Sequence, residues 1–228
     1  TEEVNAHHLA QVLTGLGIRL VEVRILPDNR AAIVGAVRAL SPQVDHLFTS
    51  GGIGPTHDDI TADCVAEAMG ARIDVRDDAK AILEAYYGED LNDARLRMAR
   101  IPDGARLIEN PLSQAPGFSL ANVHVMAGVP AIFREMVAGL VPRLEGGTPM
   151  RSHAFRVALP EGDVADALRR LAADHPALSI GCYPFYRRGL GCTIIIRSSH
   201  PDLLRKGAAG LRSMLAGLTA EVEETPPG

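Results

Sequence analysis

Tryptophan is absent from these 228 residues, and aromatic side chains make up only 4%. A core built on large rings is therefore excluded. With 46% hydrophobic residues, the interior has to come from Ala, Val, Leu and Ile, which suits helices covering a parallel sheet. Cysteine is scarce too: Cys64, Cys182 and Cys192 are odd in number and lack CxxC spacing. That favours reduced thiols in a cytoplasm over disulfides or zinc. No basic block occurs and the net charge is -5, so the clustered Lys and Arg that nucleic-acid backbones demand are missing. No apolar run approaches the roughly 18 residues of a membrane span, and no signal peptide opens the chain. What remains is a cytoplasmic protein without nucleic-acid or membrane partners, made of one large domain or of one domain and a smaller companion.

Apolar periodicity predicts helices over 5–16 (Leu9, Val12, Leu13, Leu16), 29–40 and 60–69, with Gly17 and Gly70 as stops. Between them, "IRLVEVRIL" (18–26) alternates like a strand, and "VDHLFTS" reads as a second short one. Further helices are expected over 77–87, 92–100 and 131–144, a strand at "ARLIEN", and a hairpin at "GFSLANVHVMAG" turning at Ala121-Asn122. Strands alternating with helices imply βαβ units. "EGGTPMRS" is the clearest linker and divides a domain of residues 1–147 from one of 148–228. The second is expected as a small βαββα module with a fraying "TPPG" tail.

The richest stretch is "TSGGIGPTHDDIT". It follows a strand and precedes a helix, the location where open α/β folds bind ligands. A Walker loop is excluded because no Lys follows, and GxGxxG fails because His57 stands where the last glycine belongs. What remains is a turn of small residues, Gly51, Gly52 and Gly54, whose exposed N–H groups suit an anion, with hydroxyls from Thr49, Ser50 and Thr56. Asp58 and Asp59 serve either as helix N-caps or as metal and acid/base groups. A divalent cation would let carboxylates and phosphates share the site. His57 is a ligand or an ordinary exposed residue, and adjacent His7 and His8 point to different sides of a helix. Arg187 and Arg188 read as a solvated hairpin turn or a phosphate contact, and Cys182 and Cys192 as buried cross-strand neighbours.

These residues resemble the molybdopterin-binding fold shared by bacterial molybdopterin adenylyltransferases, gephyrin-type domains and competence/damage-inducible protein A. The Pro-Thr-His-Asp-Asp form is most similar to the last, and to the domain fused to eukaryotic FAD synthases. "ILPDN", "ENPLSQAPGF" and "VMAGVPAIFREM" follow in order, and the resemblance runs from Thr1 to about Leu144. It implies a three-layer αβα molybdopterin-binding fold with a mostly parallel sheet, followed by a small α+β domain. The family normally opens with a strand and a Gly-Asp-Glu turn, whereas this sequence starts at the first helix; an extra unpaired sheet edge is therefore expected.

The resemblance also implies roles. Asp28 and Asp59 map onto the two functional aspartates of the adenylyltransferase branch, with Asp28 as the N-cap of the next helix in the bland alternative. Ser113, Gly117, Gly128 and Pro130 fall on loops that line the pocket, or else on hairpin punctuation and a helix N1 proline. The ligand implied is a phosphorylated pterin, molybdopterin itself, or an adenine dinucleotide. The chemistry implied is metal-dependent pyrophosphatase action on ADP-ribose-like or FAD-like substrates, with Mg or a similar ion on Asp58 and Asp59. Adenylyl transfer onto a pterin, or binding without turnover, are the competing functions. Relatives of this fold assemble as dimers or trimers, so a homo-oligomer is expected.

Overall fold

A computed structural model of the chain describes residues 3–186, 190–218 and 221–226. Helices α1 (Asn5–Gly15) and α2 (Arg30–Leu40) come first, followed by strand β1 (Leu47–Ser50) and helix α3 (Thr61–Met69). Strand β2 (Ile73–Val75), helices α4 (Asp77–Tyr87) and α5 (Asp93–Leu96), and strand β3 (Arg100–Pro102) come next. Strands β4 (Arg106–Ile108), β5 (Gly117–Leu120) and β6 (Val123–Met126) lead to helix α6 (Pro130–Leu140). The remaining elements are β7 (Arg151–Val157), α7 (Glu161–Asp174), β8 (Ser179–Phe185), β9 (Gly191–Ser198), α8 (Pro201–Ala216) and β10 (Val222–Thr225). Contacts divide the chain into one unit of residues 1–11 and 20–145 and another of 12–19 and 146–228.

In the first unit the sheet runs β1-β6-β5-β4. It is mixed rather than mostly parallel: β1 and β6 are parallel, while β5 pairs antiparallel with both β6 and β4. The hairpin dictates this, because Ala121 takes φ +50 and turns the chain straight back at Ala121-Asn122. One face buries Val123, Val125 and Phe118 against Ile33, Val34 and Val37 of α2 and Cys64 and Val65 of α3. The other meets α6, whose Met136 lies against Gly117. The sheet thus sits between helical layers.

The expected strand over 18–26 does not form. Among the described residues no strand pairs with this segment, and Leu20, Val21, Val23, Ile25 and Leu26 are exposed. Alternation prepares two faces, but a strand also needs a partner for its backbone groups. Two short strands escaped sequence reading, β2 and β3, which form their own antiparallel pair. The helix expected over 92–100 shortens to α5 and a 3₁₀ turn because Arg100 joins β3.

The second unit orders its strands β10-β7-β9-β8, all antiparallel, with Phe155, Val157, Ile194 and Ile196 buried beneath α7 and α8. The order is βαββαβ, one strand more than expected, and is the ferredoxin-like arrangement. The extra strand pairs with β7 from Val222 to Thr225; Arg212 of α8 donates two 2.7 Å bonds to Glu224 of β10, and His153 of β7 stands 3.2 Å from the same carboxylate. The tail expected to fray therefore begins inside β10, and its last residues, 227 and 228, lie outside the described residues. Cys182 pairs with Ile194 and Cys192 with Pro184, so the two thiols are diagonal rather than direct neighbours. Burial raises both, Cys192 up to about 12, which leaves them inert as nucleophiles at neutral pH. The turn holding Arg187 and Arg188 lies outside the described residues.

Candidate functional site

β1 ends at Ser50, and the chain breaks from the sheet through Gly51 (φ +101) and Gly52 (φ +69), conformations that side chains rarely adopt. The N–H of Gly51 still donates to the Met126 carbonyl at 2.9 Å, and the Thr61 N–H returns to the Gly52 carbonyl at 2.9 Å. The turn is thereby tied to β6 on one side and to the start of α3 on the other. Between these ties, the N–H groups of Gly52, Ile53 and Gly54 donate to no acceptor among the described residues. Successive free amides at a strand end are what an anion nest requires.

The aspartates take a different part from the helix caps considered above. α3 starts after Ile60, with no side-chain cap. Asp59 instead closes the loop behind the glycines: its Oδ2 accepts the Thr56 N–H at 2.8 Å and the Thr56 hydroxyl at 2.5 Å. A Cβ on Gly54 would stand 2.6 Å from that same Oδ2, so a side chain there would push the Asp59 carboxylate from its place. Asp58 points outward with 61% of its side chain exposed. Its carboxyl is held below the ordinary range, chiefly by the Thr56 hydroxyl, then by its own backbone N–H and by His57. The Thr56 hydroxyl itself donates to Asp59. His57 is fully solvated, 98% exposed, with Nδ1 at 3.8 Å from Asp58.

The other expected residues divide. Ser50 is exposed at the turn, whereas the Thr49 hydroxyl faces inward, buried and without a partner among the described residues. Gly128 adjoins the turn so closely that a Cβ on it would stand 3.0 Å from the Gly51 Cα. Pro130 is the first residue of α6, as the N1 reading had it. Gly117 is buried inside β5, where a Cβ would meet the Val125 carbonyl at 2.3 Å and Met136 at 2.5 Å; packing accounts for it. Ser113 accepts a 2.6 Å bond from Asn110, a residue that sequence reading passed over. Asn110 is 4% exposed and also binds the backbone of Leu112, Ser113 and Ala115, holding this loop in shape. The cap of α2 is Asn29, which accepts the Ala32 N–H at 3.1 Å. Asp28 does not cap, and its exposed carboxylate makes no hydrogen bond or ion pair among the described residues.

Three more residues went unnoticed. A narrow crevice of about 20 Å³ is lined by Ile53, Gly54, Asp59, Asp63, Arg97 and Arg100, and Asp63, Arg97 and Arg100 also line a cleft of about 440 Å³. Arg100 pairs with Asp63 at 2.5 Å. These arginines come from the 3₁₀ turn and β3, so no local motif marks them. Asn5 is the third: it is 6% exposed and donates through Nδ2 to the Ser50 hydroxyl and to the Gly128 carbonyl, both at 2.8 Å. A signal existed, since Asn5 sits at the i, i+4, i+8 spacing of Leu9 and Leu13, a polar residue on an apolar stripe.

The donor set bears on a cation. No group of three or more His, Cys, Asp or Glu side chains converges among the described residues, so a closed protein cage is absent there. The exposed Asp58 carboxylate and the free Oδ1 of Asp59 suit a hard cation that takes one or two carboxylates and completes its shell with ligand oxygens and water.

Residues 1–146 match the family described as a probable molybdopterin binding domain, and the chain belongs to that family. Within it the chain is of the CinA type. A CinA-like protein of Desulfosudis oleivorans is 31% identical over 193 residues, covering 78% of this chain and 47% of the relative. A CinA-like protein of Myxococcus xanthus is 31% identical over 197 residues, covering 78% of this chain and 46% of the relative. This chain thus spans just under half the length of these CinA-like relatives. The crystal structure of a CinA protein of unknown function from Thermoplasma acidophilum shares 31% identity at a TM-score of 0.59, covering 63% of this chain and 88% of that one. Residues 149–223 match the middle domain of FAD synthase. Among the described residues no helix is long and apolar enough to cross a membrane.

Proposed function

We propose that the glycine turn binds the phosphate of an adenine dinucleotide or a phosphorylated pterin, and that the chain hydrolyses the diphosphate of ADP-ribose-like or FAD-like substrates. The single observation behind this reading is the run of three free amides at Gly52, Ile53 and Gly54 beside two carboxylates. The match of residues 149–223 to a FAD synthase domain favours the dinucleotide. In this reading the amides hold one phosphate, and the Ser50 hydroxyl adds a donor. Asp58 and Asp59 would hold a divalent cation together with ligand oxygens. Such an ion supplies charge neutralisation on the diphosphate and acidifies a bound water. Asp59 has the further task of keeping the loop closed through Thr56. Arg97 and Arg100 lie along the crevice where the rest of a dinucleotide would extend. A homo-oligomer belongs to the same proposal and is read by light scattering.

The test is incubation with ADP-ribose, with FAD, or with molybdopterin plus ATP, each with and without Mg²⁺, following AMP release and adenylylation. Mg²⁺-dependent AMP release is expected, falling by about 100-fold or more in Asp59→Ala, the scale typical of losing one group that stabilises developing charge. Adenylylated pterin in place of AMP would move the assignment to adenylyl transfer. Tight binding without product in every mixture would sink both enzymatic readings and leave a binding protein.

A further inference from the structure

We propose that Asn5 is a positioning residue that sets the polarity of Ser50, turning its hydroxyl proton toward the anion held by the glycine turn. This rests on the anion-binding reading above and adds to it a residue that touches no ligand.

The geometry leaves Asn5 one orientation. The backbone N–H groups of Asn5 and Ala6 donate to the Glu3 carboxylate at 2.9 and 3.0 Å, which fixes the start of α1. From there the side chain reaches the ends of β1 and β6. A carbonyl only accepts, so the contact with Gly128 requires the amide nitrogen. The second hydrogen on that nitrogen then goes to the Ser50 oxygen. Both donors are used, and Oδ1 is left buried with no donor among the described residues. A buried acceptor without a partner is costly, and it is tolerated here in exchange for two placed N–H groups.

The consequence falls on Ser50. Its oxygen already accepts a hydrogen bond, and its own proton goes to no acceptor among the described residues. Ser50 is an exposed residue and immediately precedes the glycine turn in the chain. It is therefore presented as a donor, which suits a phosphate oxygen. Asn5 also ties the Gly128 loop to β1, where a Cβ on Gly128 would stand 3.0 Å from the Gly51 Cα.

The experiment is calorimetric titration of the full chain with inorganic pyrophosphate, comparing wild type with Asn5→Ala, Ser50→Ala and the double variant. Each single change is expected to weaken binding about tenfold, the loss of one hydrogen bond to a charged group. The double variant is expected to lose about the same tenfold, because both changes remove one directed proton. A hundredfold loss in the double variant would show independent effects and overturn the assignment. Asn5→Asp, nearly the same shape, is expected to bind more weakly than Asn5→Ala, because a carboxylate takes the Ser50 proton and adds negative charge. Circular dichroism on every variant separates loss of fold from loss of affinity, and Asn5→Asp together with Ser50→Ala decides the matter should Asn5→Ala not fold. A wild type that binds no pyrophosphate overturns the anion-binding reading and this role with it. A wild type that binds, with Asn5→Ala binding equally well, overturns this role alone.

Discussion

At Gly52 the backbone stands at φ +69, and a Cβ would lie 2.1 Å from the Thr61 hydroxyl. The glycine is required on its inner side, against α3, as well as on the side open to a ligand. Gly52→Ala is therefore expected to destabilise the first unit by about 1–3 kcal/mol through backbone strain alone, with any loss of anion binding on top. Urea unfolding checks this, and an unchanged midpoint would contradict the inward collision. His124 is the other residue with a consequence to measure. It is 7% exposed, 2.9 Å from the Ser119 hydroxyl and 3.2 Å from His46. Burial first, then the His46 and Arg143 charges, lower its pKa from 6.5 to about 4. Unfolded chains take up a proton near pH 6.5, whereas the folded imidazole refuses it until about pH 4. Its contribution is fully present above about pH 6.5 and is lost as pH falls toward 4, on the order of 3 kcal/mol at most. Denaturation at pH 7 and pH 4.5 should show a smaller drop for His124→Phe than for wild type; equal drops would assign the acid sensitivity to other groups. The aspartates show what sequence can and cannot say at this scale. Their types and spacing marked Asp58 and Asp59 as special, but only coordinates show Asp59 bound to Thr56 while Asp58 faces water.

Among the elements, the segment of residues 18–26 is the instructive failure. "IRLVEVRIL" alternates as well as any strand in the chain, yet among the described residues β1 pairs only with β6 and lies at the edge of its sheet. Without a ladder, the amides of this segment are expected to exchange with solvent within seconds, while those of β6 stay protected. Hydrogen exchange followed by mass spectrometry reads this, and protection over 18–26 would mean that the segment finds a strand partner in solution. Helices α1, α2, α3, α4 and α6 were legible because each carries its own stripe of apolar residues at helical spacing. The hairpin of β5 and β6 was legible because both strands and their turn are contiguous. β2, β3 and β10 were not, since strands of three or four residues are defined by distant partners rather than by their own pattern.

At the scale of the whole molecule, the buried cluster around Val65, Leu83 and Val125 and the one around Phe155, Ile194 and Leu211 share no residue. The change of rhythm at "EGGTPMRS" leads the sequence reading to a boundary between residues 147 and 148, whereas contacts put 12–19 together with 146–228. The family, too, was readable in advance, because a glycine turn between a strand and a helix needs its residues close together in sequence. Sequence by itself thus determined the helices, the hairpin, the glycine turn and the kinship with molybdopterin-binding domains, all matters of local periodicity and short-range spacing. Tertiary structure alone decided that the sheet is mixed, that β10 completes a second sheet, and that residues 18–26 pair with no described strand. It also brought Asn5 beneath Ser50 and Gly128, and Arg97 and Arg100 to the crevice beside Asp59. These are encounters between residues dozens of positions apart, and they follow from backbone pairing and core packing, which no local pattern records.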